Sequence, residues 1–170
     1  MLKGQHVVLA AIQNGDQDLL YKWLNDVDLA RLLAPYRPID PTSFNAWFNN
    51  IGRDGSILFG IRALEQNNLI GTILFTAINN VHRSGEIAIK IGDLECRGRG
   101  YGRAALALAV EFAWKDLNLH RLALTVHHDN EPAIRAYQAA GFEIEGRLRQ
   151  AVHVAGVWKD LLIMSILRNG

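Results

Sequence analysis

The pattern of apolar and polar residues along this chain predicts strands and helices in a defined order. Short apolar runs rich in Val, Ile and Leu, bounded by turn residues, are typical of strands. They lie at residues 6–12, 56–64, 69–77, 84–92, 121–128, 142–154 and 157–167. Apolar residues spaced three or four apart predict helices. These lie at residues 16–25, 43–51, 104–117 and 131–140, with a shorter helical turn at 28–33.

Turn chemistry predicts where these elements begin and end. Polar residues suited to helix capping precede the first two helices: Asn14 or Asp16, and Thr42 or Ser43. Three prolines in residues 34–41 exclude a helix or a central strand from that segment. Residues 65–68 and 155–156 are short enough to close antiparallel hairpins. We expect Trp47 and Phe48 to belong to the core.

The strands at residues 84–92 and 121–128 have a different relationship, because a long helix separates them. Two strands joined by a helical crossover lie parallel, with a right-handed connection. The three strands at residues 56–64, 69–77 and 84–92, and the closing pair at 142–154 and 157–167, are joined by short connections and should be antiparallel. The predicted sheet is therefore mixed and mostly antiparallel.

A glycine-rich loop, residues 97–103, joins the strand at 84–92 to the long helix. Glycines let a ligand approach the main chain closely, and the free N–H groups at a helix start attract phosphate. Three arginines add positive charge: Arg97, Arg99 and Arg103. The loop therefore predicts a site for a phosphate-bearing ligand, in particular a pyrophosphate.

This loop departs from the two common nucleotide-binding fingerprints. It has no Gly-Lys-Ser/Thr, which a Walker loop requires. A dinucleotide fingerprint would have its third glycine where Arg103 stands, and an acidic residue about twenty positions later. That later region reads Asn118-Leu-His-Arg121. An ATP-binding or NAD-binding enzyme is thus the weaker alternative.

Composition narrows the class of protein further. The chain has 170 residues, enough for one domain with a full core. Its net charge of +1 provides no basic field for nucleic acid or an anionic membrane. The single cysteine, Cys96, excludes an intramolecular disulfide framework and fits a reducing compartment, so we expect a cytoplasmic protein. We expect no signal peptide or membrane span, because every apolar stretch is short or broken by charge.

Six ordered motifs resemble the GNAT acetyltransferases, in particular the branch that includes the RimJ/RimL-type N-terminal acetyltransferases. The spacing R-x-x-G-x-G is similar to that family's coenzyme A pyrophosphate loop. The motifs are Glu86-Ile-Ala-Ile-Lys-Ile-Gly92, Arg97-Gly-Arg-Gly-Tyr-Gly102, Asn118-Leu-His-Arg121, Asn130-Glu-Pro-Ala-Ile-Arg-Ala-Tyr137, Gly141-Phe142 and Glu145-Gly-Arg-Leu-Arg149. The ending at residues 156–167 is also similar.

The resemblance implies an α+β (α/β-type) GNAT fold in one domain over residues 1–170. Its centre would be a mixed, mostly antiparallel twisted sheet of about seven strands, with a splayed parallel pair and about four flanking helices. It also implies acetyl-CoA as cosubstrate, with the pantetheine arm pairing with the first splayed strand. The residues assigned to acetyl-CoA are Ile89, Ile91, Arg97, Gly98, Arg99, Gly100, Tyr101, Gly102, Arg103 and Asn130. No metal ligand is assigned.

Asn130 and Tyr137 lie seven residues apart on one predicted helix, which places them on the same face. The resemblance implies that this face meets the thioester. Asn130 would then bind the pantetheine arm, even if it also caps the helix, and Tyr137 would protonate the departing thiolate. Some RimL-like members use a serine as the acid. This chain has Ala133 in that region, which favours Tyr137.

An amine substrate must lose a proton before it attacks, so a base is required. Glu86 opens the otherwise apolar strand before the loop, and the resemblance to histone-type members implies a base at this position. Glu145 is the rival candidate for the base, and a water-mediated route stays open.

Two other features are weak candidates for a functional site. His127 and His128 are adjacent on a strand and point to opposite faces, which disfavours a shared metal. Cys96 lies beside a cationic loop that would lower its pKa, but direct transfer needs no enzyme nucleophile.

These observations lead to one function and one alternative. The first is an acetyl-CoA-dependent N-acetyltransferase that transfers acetyl to a primary amine by direct attack in a ternary complex. The alternative is a non-catalytic acyl-CoA-binding module with the same fold. The acceptor is either a protein N-terminus or a small-molecule amine, and the sequence does not choose between them. The resemblance also makes a homodimer an option.

Overall fold

The computed structural model of the protein describes residues 1–32 and 35–169. Among these residues eight strands form one mixed sheet. The strands are β1 (Leu2–Lys3), β2 (Val7–Ala11), β3 (Ile57–Ala63), β4 (Leu69–Asn79), β5 (Ser84–Ile91), β6 (Arg121–His127), β7 (Glu143–Val154) and β8 (Val157–Leu167). Their order across the sheet is β1-β2-β3-β4-β5-β6-β8-β7. Of the strands in the described part of the chain, only β5 and β6 pair in parallel, as the helical crossover predicts.

Five α-helices flank the sheet in the described residues. They are α1 (Gln17–Leu24), α2 (Val27–Arg31), α3 (Pro41–Asn49), α4 (Tyr101–Lys115) and α5 (Glu131–Ala139). The predicted α+β architecture is confirmed, with one strand and one helix more than the approximate counts. The extra strand is the two-residue β1, too short to give a sequence pattern. Leu33 and Ala34, which end the predicted helical turn and begin the proline loop, lie outside the described residues.

The two faces of the sheet carry different layers. The main core lies between the sheet and α4, where small side chains let the helix pack closely: Ala105, Ala109 and Ala113. A smaller core on the other face joins α1, α2 and α3 through Leu20, Trp23, Leu29, Phe44 and Leu69. The long helix and the three short helices therefore enclose opposite faces of the same strands. No described helix is long and apolar enough to cross a membrane.

The parallel pair loses its hydrogen bonds after three residues. The paired positions are Ser84 with Arg121, Gly85 with Leu122 and Glu86 with Ala123. Beyond them β5 remains paired with β4 as far as Ile91, and β6 remains paired with β8 as far as His127. Each strand thus keeps its outer neighbour and loses its inner one. The result is the predicted splay, a V-shaped gap that opens toward the carboxyl ends of both strands.

Asp16 is the N-cap residue of α1, one of the two residues predicted, although its side chain makes no cap hydrogen bond. The predicted cap of the helix at residues 43–51 is wrong in detail. Asp40, not Thr42 or Ser43, caps α3: its carboxylate accepts the backbone N–H groups of both residues at 2.9 and 3.0 Å. Pro41 is then the first helical residue, a position where its missing N–H costs nothing. One of the three prolines that mark the loop therefore starts the helix.

Asp16 also has a role that the sequence did not indicate. It lies at the end of a short 3-10 turn, Asn14–Asp16, that precedes α1. Its side chain is 8% exposed and accepts a hydrogen bond from Arg62 on β3, with 2.6 Å between Oδ2 and Nη2. The same carboxylate accepts the Gln13 N–H at 2.8 Å. This buried ion pair ties the entry to α1 to the central sheet.

We predict that Asp16→Ala lowers the free energy of unfolding by roughly 3 kcal/mol, because it leaves the Arg62 guanidinium buried without a counter-ion. Urea denaturation would measure the loss. The matched control is Glu131→Ala, which breaks an exposed ion pair with Arg135. The side chains of Arg135 and Glu131 are 66% and 75% exposed. That control should change stability by no more than about 0.5 kcal/mol. Equal losses in both variants would contradict the prediction.

Candidate active site

The glycine loop has the geometry of an anion-binding helix start. Gly98 and Gly100 have φ angles of +71° and +85°, a left-handed conformation that favours glycine. Gly100 is the N-cap of α4 and gives no side-chain cap. The first helical hydrogen bond runs from the Ala104 N–H to the Gly100 carbonyl at 3.0 Å. The N–H groups of residues 101–103 therefore precede the helical ladder and are available to a pyrophosphate.

The three loop arginines are not equivalent. Arg99 and Arg103 are exposed at the loop surface, where they can pair with phosphates. Arg97 instead folds back on the end of β5, and its Nε donates to the Ile91 carbonyl at 3.0 Å. Arg97 therefore differs from the other two arginines in its side-chain contacts, and the assignment of all three to acetyl-CoA stays a prediction. Arg97 Nη2 is buried and has no partner within the described residues, so a ligand acceptor at this point would satisfy a donor that is now unpaired.

The loop is anchored where β5 ends. A Cβ on Gly92 would lie 2.1 Å from the ring of Trp23, so only glycine lets α1 pack against this turn. Trp23 is buried and cannot move aside. Asp93 then accepts the Glu95 N–H at 3.0 Å and starts the 3-10 turn Leu94–Cys96. Tight packing therefore sets the position from which the loop leaves the sheet.

The splayed edge of β5 contains the residues predicted to pair with a pantetheine arm. Ile89 and Ile91 lie past the last parallel pair, on the edge that has lost β6. Both side chains are half-buried and pack against the main core. The Ile91 carbonyl is already bonded to Arg97, so Ile89 is the freer position of the two. Unpaired strand groups of this kind require a partner, and an extended ligand can supply it.

Glu86 lies at the point where the parallel pair ends. It pairs with Ala123 on β6 and with Thr76 on β4, so the three side chains point to the same face of the sheet. The Glu86 side chain is exposed. No ion pair of residues 1–32 and 35–169 involves it. An unengaged carboxylate at the apex of the splay is free to accept a proton.

Glu145, the rival base, has a different environment. Its two oxygens accept hydrogen bonds from both terminal nitrogens of Arg121 at 2.6 and 2.5 Å. The Ser165 hydroxyl donates to the same carboxylate at 2.7 Å. These hydrogen bonds, first that of Arg121, lower the pKa of Glu145 to about 2. A carboxylate held ionised by a bidentate arginine is a weak base, so Glu145 fits a structural role that joins β6, β7 and β8.

Tyr137 and Asn130 occupy the helix that follows β6. Asn130 is the N-cap of α5, and its Oδ1 accepts the Ala133 N–H at 3.3 Å, which leaves its amide nitrogen for a ligand. Tyr137 is 4% exposed and packs against Phe142, with 5.8 Å between ring centroids. Burial raises the pKa of Tyr137 to about 12. The phenol is therefore neutral, with its proton in place, at any physiological pH.

Glu86 and Tyr137 belong to opposite faces of the sheet. Tyr137 is part of the main core together with Ile87, Leu124 and Val126, whose side chains point away from the Glu86 face. The splay interrupts the sheet between these two faces. The splay therefore lies between a carboxylate on one face of the sheet and a buried phenol on the other.

The Glu86 face also contains two adjoining depressions that the sequence did not reveal. A cavity of about 150 Å³ lies between α1, α3 and the middle strands, with Ala88 and Lys90 in its wall. A wider cleft of about 600 Å³ continues past Trp47 to Thr76. Trp47 is 38% exposed and lines both, so its assignment to the core is wrong. Strand alternation places Glu86, Ala88 and Lys90 on one face, a signal that was present in the sequence.

The weaker candidates gain nothing from the structure. Burial, together with nearby Asp93, raises the pKa of the Cys96 thiol, whereas the cationic loop was expected to lower it. His127 is buried at the end of β6, and burial lowers its pKa. His128 points elsewhere, with its Nδ1 3.3 Å from the Asp160 carbonyl oxygen. No group of three metal-ligating side chains occurs in the described part of the chain.

A splayed parallel pair beside a glycine-rich loop at a helix start is typical of the coenzyme A-dependent acyltransferases of the GNAT class. Residues 6–143 match the family described as "Acetyltransferase (GNAT) domain", and the chain belongs to that family. Spermidine N(1)-acetyltransferase of Vibrio cholerae is 28% identical over 165 residues, which cover 96% of this chain and 94% of that protein. The Bacillus subtilis protein YdaF, provisionally named a ribosomal N-acetyltransferase, is 31% identical over 160 residues, covering 93% and 82%.

The fold is shared with a solved relative. The crystal structure of spermidine N-acetyltransferase from Vibrio cholerae in complex with CoA and spermine superposes with a TM-score of 0.86 at 28% identity, covering 95% of each chain. This chain is therefore an acetyl-CoA-dependent N-acetyltransferase of the GNAT type. The narrower resemblance to the RimJ/RimL branch is not supported: the Vibrio cholerae relative, matched in sequence and in structure, is a spermidine acetyltransferase.

We predict that Gly100→Ala weakens binding of coenzyme A by up to about tenfold, because a left-handed alanine costs roughly 1–2 kcal/mol. An added Cβ meets no atom within 4 Å at Gly100, so the effect would be conformational and not steric. Gly15→Ala is the control, since its Cβ also meets nothing within 4 Å and its φ is not left-handed. Calorimetric titration with coenzyme A would separate them, and equal affinities would contradict the prediction.

We also predict a specific alkaline loss of stability. The unfolded tyrosine ionises near pH 10 and the folded Tyr137 near pH 12, so the unfolded state binds fewer protons between these values. Stability is fully present below pH 10 and falls, by up to about 3 kcal/mol, as the pH rises through 12. Tyr137→Phe should lack this loss when urea denaturation is compared at pH 8 and pH 11. The same loss in both proteins would assign it to other groups.

Proposed function

We propose that the enzyme acetylates a primary amine by direct attack within a ternary complex, with Glu86 as the general base and Tyr137 as the general acid. The observation that carries the proposal is the end of the β5–β6 pairing at Glu86. This residue is exposed on the face that contains the cavity and the cleft, while the glycine loop lies at the open end of the same gap. One passage therefore has a place for each substrate.

Glu86 would accept a proton from the ammonium group of the acceptor, directly or through one water. The neutral amine would then attack the acetyl carbonyl to form the C–N bond. As the C–S bond breaks, the nitrogen would release its second proton to solvent, so that a neutral amide and coenzyme A thiol are formed. A backbone N–H on the unpaired edge of β5 would stabilise the developing oxyanion. Glu145 is a poor candidate for this step because Arg121 and Ser165 occupy its oxygens.

Tyr137 would donate its proton toward the departing sulfur. Its pKa of about 12 exceeds the usual thiol value of about 8.5. Complete transfer to a solvated thiolate would therefore be unfavourable. In the better description, the Tyr137 hydroxyl donates a hydrogen bond to the sulfur, and its proton is transferred as the C–S bond breaks in a desolvated site. The weaker acidity of a buried phenol thus favours a concerted step over a separate protonation.

The acceptor is a primary amine, either a protein N-terminus or a small molecule. The Vibrio cholerae relative was solved with spermine, and YdaF is named for the ribosome, so related chains differ in acceptor. Fold alone does not decide among them. The homodimer, the cytoplasmic location and the single-domain organisation stay predictions.

We predict that the protein releases coenzyme A thiol when given acetyl-CoA and one class of amine from a panel of N-terminal peptides, spermidine, aminoglycosides and amino sugars. Glu86→Gln should lower kcat roughly 100-fold, and Tyr137→Phe should lower it roughly 10-fold to 100-fold, each with coenzyme A affinity unchanged. The control is Glu65→Gln, an exposed carboxylate in the β3–β4 turn, which should keep the wild-type rate.

Two results would change the assignment. If Glu86→Gln keeps full activity, the base is water or another group. If acetyl-CoA raises the melting temperature while no amine in the panel is acetylated, the non-catalytic acyl-CoA-binding module becomes the better description. Protection by ATP or NAD, and not by coenzyme A, would instead favour a nucleotide-binding enzyme.

A further inference from the structure

The cavity on the Glu86 face has an unusual composition for a site that receives amines. Seven of its nine lining side chains are apolar, and the other two belong to Thr72 and Lys90. No carboxylate lines it within the described residues. The charged group in its wall is therefore a cation, the same sign as the ammonium of an incoming amine.

Lys90 has no ion-pair partner among residues 1–32 and 35–169. No carboxylate lies within 4.0 Å of its ammonium in the described part of the chain. Burial lowers its pKa, and the carboxylate of Asp26 opposes this effect from a greater distance. Asp26 is itself engaged as the cap of α2, where it accepts the Leu29 N–H at 2.9 Å. A partly desolvated ammonium of this kind is stabilised by an anionic ligand group.

The adjoining cleft adds little negative charge. Its one carboxylate among the described residues is Asp54, which accepts hydrogen bonds from the N–H and hydroxyl of Ser56 at 3.0 and 2.5 Å. Arg53 lies beside it in the same wall. The two depressions together therefore offer apolar surface and positive charge. A polyamine would need carboxylates at intervals along its length, and burying its ammonium groups unpaired is costly.

We propose that the acceptor is an amine with an apolar segment and an anionic group at its far end, as in a protein N-terminus that has an acidic residue a few positions into the chain. This inference rests on the proposed function, because it assumes that the amine lies near Glu86. The anionic group lies against Lys90, and the apolar segment lies in the cavity between them. A polycation such as spermidine is disfavoured by the same lysine.

The spacing on β5 matches this class of acceptor. Glu86 and Lys90 are four residues apart on one strand face, about 13 Å at roughly 3.3 Å per residue. An extended peptide spans about 10 Å over three residues. Its amine can therefore be near Glu86 while a carboxylate at its fourth residue is within reach of the flexible lysine. A single amino acid is too short to meet both groups.

Four probes test the inference: the tetrapeptide amides Ala-Leu-Leu-Glu, Ala-Leu-Leu-Gln and Ala-Leu-Leu-Arg, and spermidine. Calorimetry in the presence of saturating coenzyme A measures their affinities without any need for turnover. We expect the wild-type protein to bind the Glu peptide about tenfold more tightly than the isosteric Gln peptide. The Arg peptide and spermidine should bind more weakly than the Gln peptide.

Three variants assign the preference to Lys90. Lys90→Met should bring the Glu and Gln peptides to the same affinity, and Lys90→Glu should favour the Arg peptide. Lys3→Glu is the control, because it makes the same charge change at an exposed residue of β1. It should keep the wild-type preference. Melting temperatures confirm that each variant is folded.

The inference is overturned if the wild-type protein binds spermidine most tightly, if it binds no probe, or if Lys90→Met leaves the Glu preference intact. Thiol release with acetyl-CoA is measured on the same samples. A Glu preference in binding without thiol release would contradict the proposed catalysis and leave the pocket assignment standing. Thiol release with spermidine in preference to the Glu peptide would support the catalysis and contradict the pocket assignment.

Discussion

The separation of β5 from β6 after Glu86 and Ala123 is the constraint on which the rest of the structure depends. A sheet that loses pairing in its interior exposes backbone N–H and C=O groups that need a partner. Here the outer neighbours, β4 and β8, hold each strand in place while the inner edge stays open. The gap survives because the two strands are fixed independently. A ligand that enters it can therefore bind to main chain that is already positioned, with little reorganisation.

The elements around the gap contribute different chemical groups, because they lie at its open end and on the two opposite faces of the sheet. The glycine loop and the start of α4 provide N–H groups and positive charge at its open end. The face with α1 and α3 provides an exposed carboxylate, the cavity and the cleft. The main core provides a buried phenol on α5. Glu86 and Glu145 show how environment separates two similar residues. The Glu86 carboxylate has no ion-pair partner within the described residues, whereas Arg121 holds the Glu145 carboxylate and lowers its pKa to about 2.

The acetyl-CoA side and the acceptor side of the gap depend on different kinds of structure. The acetyl-CoA side depends on backbone geometry, which a few glycines and one strand separation specify. The acceptor side depends on side chains of α1, α3 and β5 that meet only in space. Lys90 and Trp47 line the cavity, and neither belongs to a motif with a fixed spacing. A shared fold, here at a TM-score of 0.86, therefore does not by itself specify the amine acceptor.

The sequence by itself determined the order of the elements, the parallel pair, the glycine loop and the family, because periodicity, turn residues and motif spacing are local properties of the chain. It also placed Glu86 and Tyr137 on the correct elements. The tertiary structure alone decided which side chains are partners: Asp16 pairs with Arg62, and Arg121 forms hydrogen bonds with Glu145. It also decided that Arg97 turns back to Ile91. Trp47 lines the cavity and does not belong to the core. Each of these depends on contacts between segments far apart in sequence. Side-chain partners, and the pKa values that follow from them, are set by such contacts and leave no local pattern to detect.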